Sequence, residues 1–260
     1  DYNVNTHFKF TSNINNYFGL INNSWDTFFL RNINPEIRRN NLKIRTHWNW
    51  YNFFLRSFEF QANITSDNFN TVEQQIALKN NFDFDLGAGK LKGELKLFGF
   101  NTNFESSYYE KNILEFTQGL GAFDLLWQLY KNNFKIKIGA GASYILGVEK
   151  ISNNLVYYPQ VEFLYEKPGN ILLPYLKGNG GVTLNTYSSL TKENPYLAPT
   201  SNLIPSFSKY NLNIGIRSRL ASVLNFDMGF IFDEIENFDF FERLPFDNEN
   251  NLISYRLSNS

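Results

Sequence analysis

Apolar and polar positions along this chain alternate with a period of two, the pattern of strands with two chemically different faces. From Val72 to Leu86, one set of alternate positions holds Val72, Ile76, Leu78, Phe82, Phe84 and Leu86. The set between them holds Glu73, Gln75, Ala77, Lys79, Asp83 and Asp85. The stretch Gly87-Ala88-Gly89-Lys90 then supplies a tight turn, because glycine tolerates positive φ. The alternation resumes with Leu91, Leu95 and Leu97 on one face and Lys92, Glu94 and Lys96 on the other. A hairpin centred on Lys131-Asn132-Asn133 joins the Leu125 to Tyr130 run to Ile136, Ile138, Ala140, Ala142 and Tyr144. Two more are expected at 166–170 and at 218–222, the latter between Tyr210–Arg217 and Leu224–Phe232. Earlier strands are expected from Tyr2 to Phe10, Tyr17 to Leu30, Leu42 to Trp50 and Phe54 to Ile64, with Arg56 a lone charge on an apolar face.

This reading gives about twelve strands of roughly 9–15 residues, longer than those of ordinary globular sheets and suited to tilted spans of a bilayer. Short turns alternate with longer loops at 31–40, 105–111, 185–207 and after 235, the layout of outer-membrane barrels. No apolar run reaches the ~18 residues of a transmembrane helix. A soluble antiparallel sandwich also alternates, but strand length and the glycines on the polar face (Gly139, Gly141, Gly181, Gly215 and Gly229) favour a barrel that curves around a lumen. The expected fold is therefore an all-β, antiparallel transmembrane β-barrel of the outer membrane, with residues 1–260 forming one domain. Lipid is its expected surroundings, and other outer-membrane proteins are candidate partners.

Composition narrows the chemistry. With 24 Lys and Arg against 25 Asp and Glu, the net charge of −1 gives no basic footprint for nucleic acid. The absence of cysteine removes disulfides, thiolate metal sites and cysteine nucleophiles. Only His7 and His47 could serve a histidine metal centre. Aromatic residues reach 18% while the mean hydropathy is −0.35, so rings are interleaved with polar side chains.

The expected lumen face carries Lys43, Arg45, His47, Glu73, Lys79, Asp83, Asp85, Lys92, Glu94, Lys96, Lys135, Lys137, Glu162, Lys177, Arg217 and Asp227. Charges lining such a face select solutes, although any single one also serves to solvate a wet interior. Trp48, Trp50, Trp127, Tyr157, Tyr165 and Tyr210 lie near strand ends, where an interfacial girdle places amphipathic rings. His47 lacks a recognisable serine or carboxylate motif beside it, so no catalytic residue, metal or cofactor is expected. The 185–210 segment holds Pro195, Pro199 and Pro205 and reads as a rigid, irregular excursion able to cap a pore or meet a partner.

The stretch from Lys192 to Phe230, followed by Asp233 to Phe241, resembles the barrel region of TonB-dependent-receptor-like outer-membrane proteins of the Bacteroidota. The resemblance rests on Asn194, Pro195, Leu197, Pro199 and Pro205, then on Lys209, Tyr210, Asn211 and Leu212. It implies a barrel that provides a solute pathway. No plug domain or TonB-contacting segment is recognisable, and the last residues do not end on an aromatic, so a part of a larger barrel is expected. The alternative is a structural subunit of an outer-membrane secretion or assembly complex.

Overall fold

The computed structural model describes residues 2–16, 36–51, 53–105, 114–148, 154–167, 171–197, 203–219, 225–243 and 255–259. Eleven strands form one antiparallel sheet in strict chain order. They are β1 (Tyr2–Asn16), β2 (Glu36–Trp50), β3 (Leu55–Asp67), β4 (Val72–Leu86), β5 (Gly89–Phe104) and β6 (Leu114–Lys131). β7 (Phe134–Leu146), β8 (Leu155–Tyr165), β9 (Leu172–Thr183), β10 (Ser206–Arg219) and β11 (Asn225–Glu236) complete it. Each strand runs 11 to 18 residues. Among the described residues β1 and β11 are the two edges.

Because successive side chains point to opposite faces, the pairing register carries one row of residues straight across the sheet. The row Phe60, Leu78, Leu97 is apolar, and the neighbouring row Glu59, Lys79, Lys96, which continues to His47, is polar. Turns at one end of the sheet are short. Asn132 and Asn133 both take positive φ (49° and 67°), as a two-residue hairpin requires, and Gly87 does the same at 59°. Connections at the opposite end are longer, except the turn at 68–71.

The structure departs from the sequence expectation in five places. β2 begins at Glu36, inside the stretch 31–40 read as loop. The region after 235 holds β12 (Asp239–Arg243) paired with β13 (Tyr255–Asn259) in a small second sheet. Arg56 does not stay on the apolar face. The β3–β4 register shifts between Leu55 and Ser57, and the guanidinium reaches Asp83 on the polar side and the Tyr51 carbonyl at 2.8 Å. A second irregularity between Ser208 and Asn211 interrupts the β9–β10 register. Beyond it Val182 and Leu184 pack in a cluster with Phe207. Finally, the 185–210 excursion contains a helix, α1 (Tyr187–Glu193). The strand expected at Tyr17–Leu30, Pro199 and the turn residues 168–170 and 220–222 lie outside the described residues.

Gly139→Ala is expected to cost about 1–3 kcal/mol, because the added Cβ would overlap the Leu125 carbonyl oxygen of the neighbouring strand. At Gly99 the nearest atom to such a Cβ is 3.6 Å away, so Gly99→Ala is expected to stay within about 0.5 kcal/mol of the parent. Urea unfolding from micelles, followed by tryptophan fluorescence, separates the two.

Candidate functional site

The register places Lys43, Arg45, His47, Lys79, Asp83, Asp85, Lys92, Glu94, Lys96, Lys135, Lys137, Glu162, Lys177, Arg217 and Asp227 on one face of the sheet, together with Glu73. Cross-strand ion pairs knit it together: Arg45 to Glu59 at 2.7 Å, Lys137 to Glu162 at 2.7 Å and Arg217 to Asp227 at 3.0 Å. His47 stands opposite Glu59 and Asn5. Ser57, the serine of the following strand, pairs with Asn49 instead and accepts from Asn81 at 2.9 Å. Among the described residues no three His, Cys, Asp or Glu side chains gather as metal ligands do.

Glu73 is the exception to a solvated face. It is fully buried, because the β9–β10 connection folds back across the polar face at the long-loop end. Helix α1 begins there, with Thr186 as its N-cap and Ser189 returning the bond to the cap. The Glu73 carboxylate accepts the backbone N–H groups of Tyr187 (2.7 Å) and Ser188 (2.9 Å), the Thr102 hydroxyl (2.7 Å) and the Gln75 amide (2.8 Å). A helix N-terminus leaves such N–H groups unpaired and favours negative charge. The helix has no acidic residue in its own first turn, so the sheet supplies the anion.

The Tyr187 hydroxyl donates to Asp67 at 3.0 Å, with the Arg39 guanidinium 5.7 Å from its ring centre. Leu184, Leu190, Leu197, Leu203 and Phe207 then pack on Phe100, Phe104 and Ile145. The Gln118 side chain donates to the Leu203 carbonyl. Pro205 is among the most deeply buried residues, and Pro195 lies in the turn that follows α1.

Below this docked segment the polar face opens into a cavity of about 700 Å³. Its wall is a network in which Asp124 accepts from Tyr158 at 2.9 Å and from Gln160, and faces Lys96 at 3.4 Å. Glu94 binds both Lys79 and Lys96. Tyr158 on β8 reaches Asp124 on β6 by crossing β7 at Gly141, where any Cβ would overlap both side chains. A smaller cavity of about 250 Å³ adjoins it and shares Leu126, Gln160, Asn179 and Asn211 with it. Both lie where β8 and β9 part, since the registered pairs between them stop at Val161 and Gly178. Asp124, Tyr158 and Gln160 were not singled out from the sequence. The available signal was Asp124, the one charge within the run Gly119–Tyr130.

The ring-bearing residues lie on the opposite, apolar face, at both ends of it. Trp48, Trp50, Trp127 and Tyr165 are at the short-turn end, whereas Tyr157 and Tyr210 are at the long-loop end. Trp48 stacks near Phe58 with centroids 5.1 Å apart.

No protein-family model and no curated protein matches this sequence. Solved structures do. The siderophore receptor PirA from Pseudomonas aeruginosa is similar over 86% of this chain and 45% of its own, with a TM-score of 0.60 and 13% identity. The copper transporter OprC matches over 86% of this chain and 42% of its own (TM-score 0.52, 11% identity). The alcaligin outer-membrane receptor FauA from Bordetella pertussis matches over 100% and 45% (TM-score 0.52, 11% identity). The fold is thus the all-β, antiparallel architecture of outer-membrane receptor barrels. The chain spans a little under half the length of these relatives in structure.

Glu73→Gln is expected to loosen the docked segment by about 2 kcal/mol, since a charged acceptor of two helix N–H groups becomes a neutral amide. Amide exchange at Tyr187 and Ser188 should then quicken roughly thirtyfold; unchanged exchange would show that the carboxylate is not the anchor. Burial, followed by the nearby Asp67, pushes the Tyr187 hydroxyl well above its usual 10.0, against the opposing pull of Arg39. A raised acid in the folded state holds its full contribution below the unfolded value and loses it as pH rises. The same exchange measurement should therefore be unaffected by Tyr187 ionisation up to about pH 10 and show loosening above it.

Proposed function

We propose that this chain is roughly half of an outer-membrane barrel that provides a solute pathway, in the manner of a TonB-dependent transporter of the Bacteroidota. The observation that carries the reading is the division of the sheet. Across the middle of the eleven paired strands one face holds the charges and the other holds residues such as Phe60, Ile76, Ile138, Phe163, Ile214 and Phe230, while Glu36, Arg38, Glu115, Lys131 and Glu234 join the apolar rows only near the strand ends. A sheet with lipid on one side and water on the other needs this division, and its aromatic ends suit the two interfaces. β1 and β11 remain sheet edges among the described residues. An edge in lipid would leave backbone groups unpaired, so further strands are needed to close the barrel. Transporter barrels close about 22 strands, for which eleven supply half. The 192–230 sequence resemblance supports the same assignment.

The test exploits the absence of cysteine from this chain, so an introduced thiol is unique once any cysteine elsewhere in the full-length protein is replaced. Spin labels placed singly at Ile76, Ile138 and Phe230 of the full-length protein in liposomes should be accessible to oxygen and shielded from a water-soluble nickel relaxant. Labels at Lys79, Lys137 and Arg217 should show the reverse. Equal accessibility on both faces would sink the membrane reading. A correct pattern without any solute uptake by the reconstituted protein would instead favour the structural-subunit alternative.

A further inference from the structure

At the short-turn end of the polar face the ammonium groups outnumber the carboxylates available to hold them. Asp83 is taken by Arg56, Asp85 by Lys90 and Asp227 by Arg217. Glu162 stands between Lys137 and Lys177 in the register and bonds Lys137, so one carboxylate serves two cations. Lys92 makes no ion pair among the described residues; it stands opposite Asp83, which Arg56 already holds, and within electrostatic reach of Lys137, Lys135 and Lys90. Glu73 and Asp67 at the long-loop end are committed to the docked segment, and Asp124 and Glu94, nearer the middle of the face, to a network with Lys79 and Lys96.

Lys92 lines the larger cavity and Lys177 the smaller, and the side-chain amides lining one or both include Gln160, Asn179, Asn211 and Asn213. Each amide carries two N–H donors. Gln160 donates one to Asp124 and Asn211 one to Asp233, while Asn179 and Asn213 spend none on another side chain among the described residues. Four carboxylates also line the cavities: Glu94 and Asp124 are bound by Lys79 and Lys96, Glu162 by Lys137, and Asp233 is held by Ser208 and Asn211.

We propose that this shelf is an anion site, taking a small solute through its carboxylate or phosphate group. Lys92 and Lys177 supply the compensating charge, and Asn179, Asn213 and Gln160 supply donors to the anionic oxygens. Ammonium groups bind such oxygens as point charges, and a water-filled cleft with low-dielectric walls concentrates their field. The assignment rests on reading the polar face as water-lined, and it adds the charge class of what that face accepts.

Two measurements on the full-length protein test it. Reversal potentials in planar bilayers under a potassium chloride gradient report selectivity, and equilibrium binding of inorganic phosphate reports the site directly. Anion selectivity that falls in the Lys92→Gln/Lys177→Gln variant supports the proposal. So does saturable phosphate binding weakened at least about tenfold in that variant. Lys131→Gln/Lys167→Gln, which removes two exposed cations beside the short turns, should leave both readouts close to the parent. Conductance with no anion preference, and no phosphate binding that depends on Lys92 and Lys177, overturns the site while leaving the pathway standing. Phosphate binding that depends on these lysines in a protein that conducts nothing supports the site and overturns the pathway. Absence of both conductance and binding overturns both.

Discussion

Everything in this molecule depends on the unbroken antiparallel ladder. Once β4 and β5 are paired from Val72 with Asn103 to Leu86 with Gly89, the face of every residue on both strands is decided. A slip of one residue would exchange the two faces completely. The same condition propagates through each successive pair, so the charge row on β2 and the charge row on β10 belong to one surface although they are far apart in sequence. On the membrane reading proposed above, the ladder has a second role, because it is the means by which strands satisfy their backbone groups without water.

The docked segment shows how a polar sheet face can be covered without burying an unpaired charge. A buried carboxylate is costly unless hydrogen bonds saturate it, and Glu73 has donors from both sides. Thr102 and Gln75 come from the sheet, and Tyr187 and Ser188 come from the helix N-terminus. A seven-residue helix is too short to persist on its own. Its stability comes from this anchor and from the apolar contacts of Tyr187 and Leu190 with Phe104 and its neighbours. The covered end and the open cavities are therefore two outcomes of the same row arrangement. Glu73 lies under the segment, whereas Lys92 and Glu94 lie beyond its reach.

What the sequence made legible follows from what a period of two encodes. The strand pattern, the short turns at Gly87 and Asn132, and the charged face all arise from local alternation, and the structure contains them. The bulges at Arg56 and near Lys209 change the face by inserting a residue into one strand only, which alternation within that strand does not report. Glu73 reads as one more solvated charge because its partners, Tyr187 and Ser188, are more than a hundred positions away. Helix α1 was obscured by Pro195, Pro199 and Pro205, although Thr186 and Ser189 carried its capping signal. The second sheet pairs Phe240 with Ser258 across a long connection, beyond the reach of any hairpin rule.

The parting of β8 and β9 bears on which side of the sheet holds water. From Val161 and Gly178 toward the long-loop end the two strands make no registered pairs with each other, so the facing backbone edges lose their ladder partners. Lipid cannot satisfy such groups, and irregular backbone is tolerated at membrane depth only against protein or a water-filled cavity. The cavities lie at this opening, lined by Asn179, Gly180, Gly181 and Asn211. Gly139 and Gly141 keep the neighbouring strand free of bulk, and Tyr158 crosses that strand to reach Asp124. A ladder that opens beside a polar cavity is compatible with a bilayer only if that cavity is wet. The backbone thus supports the same assignment of water to the polar face as the charges do, by an argument independent of their distribution.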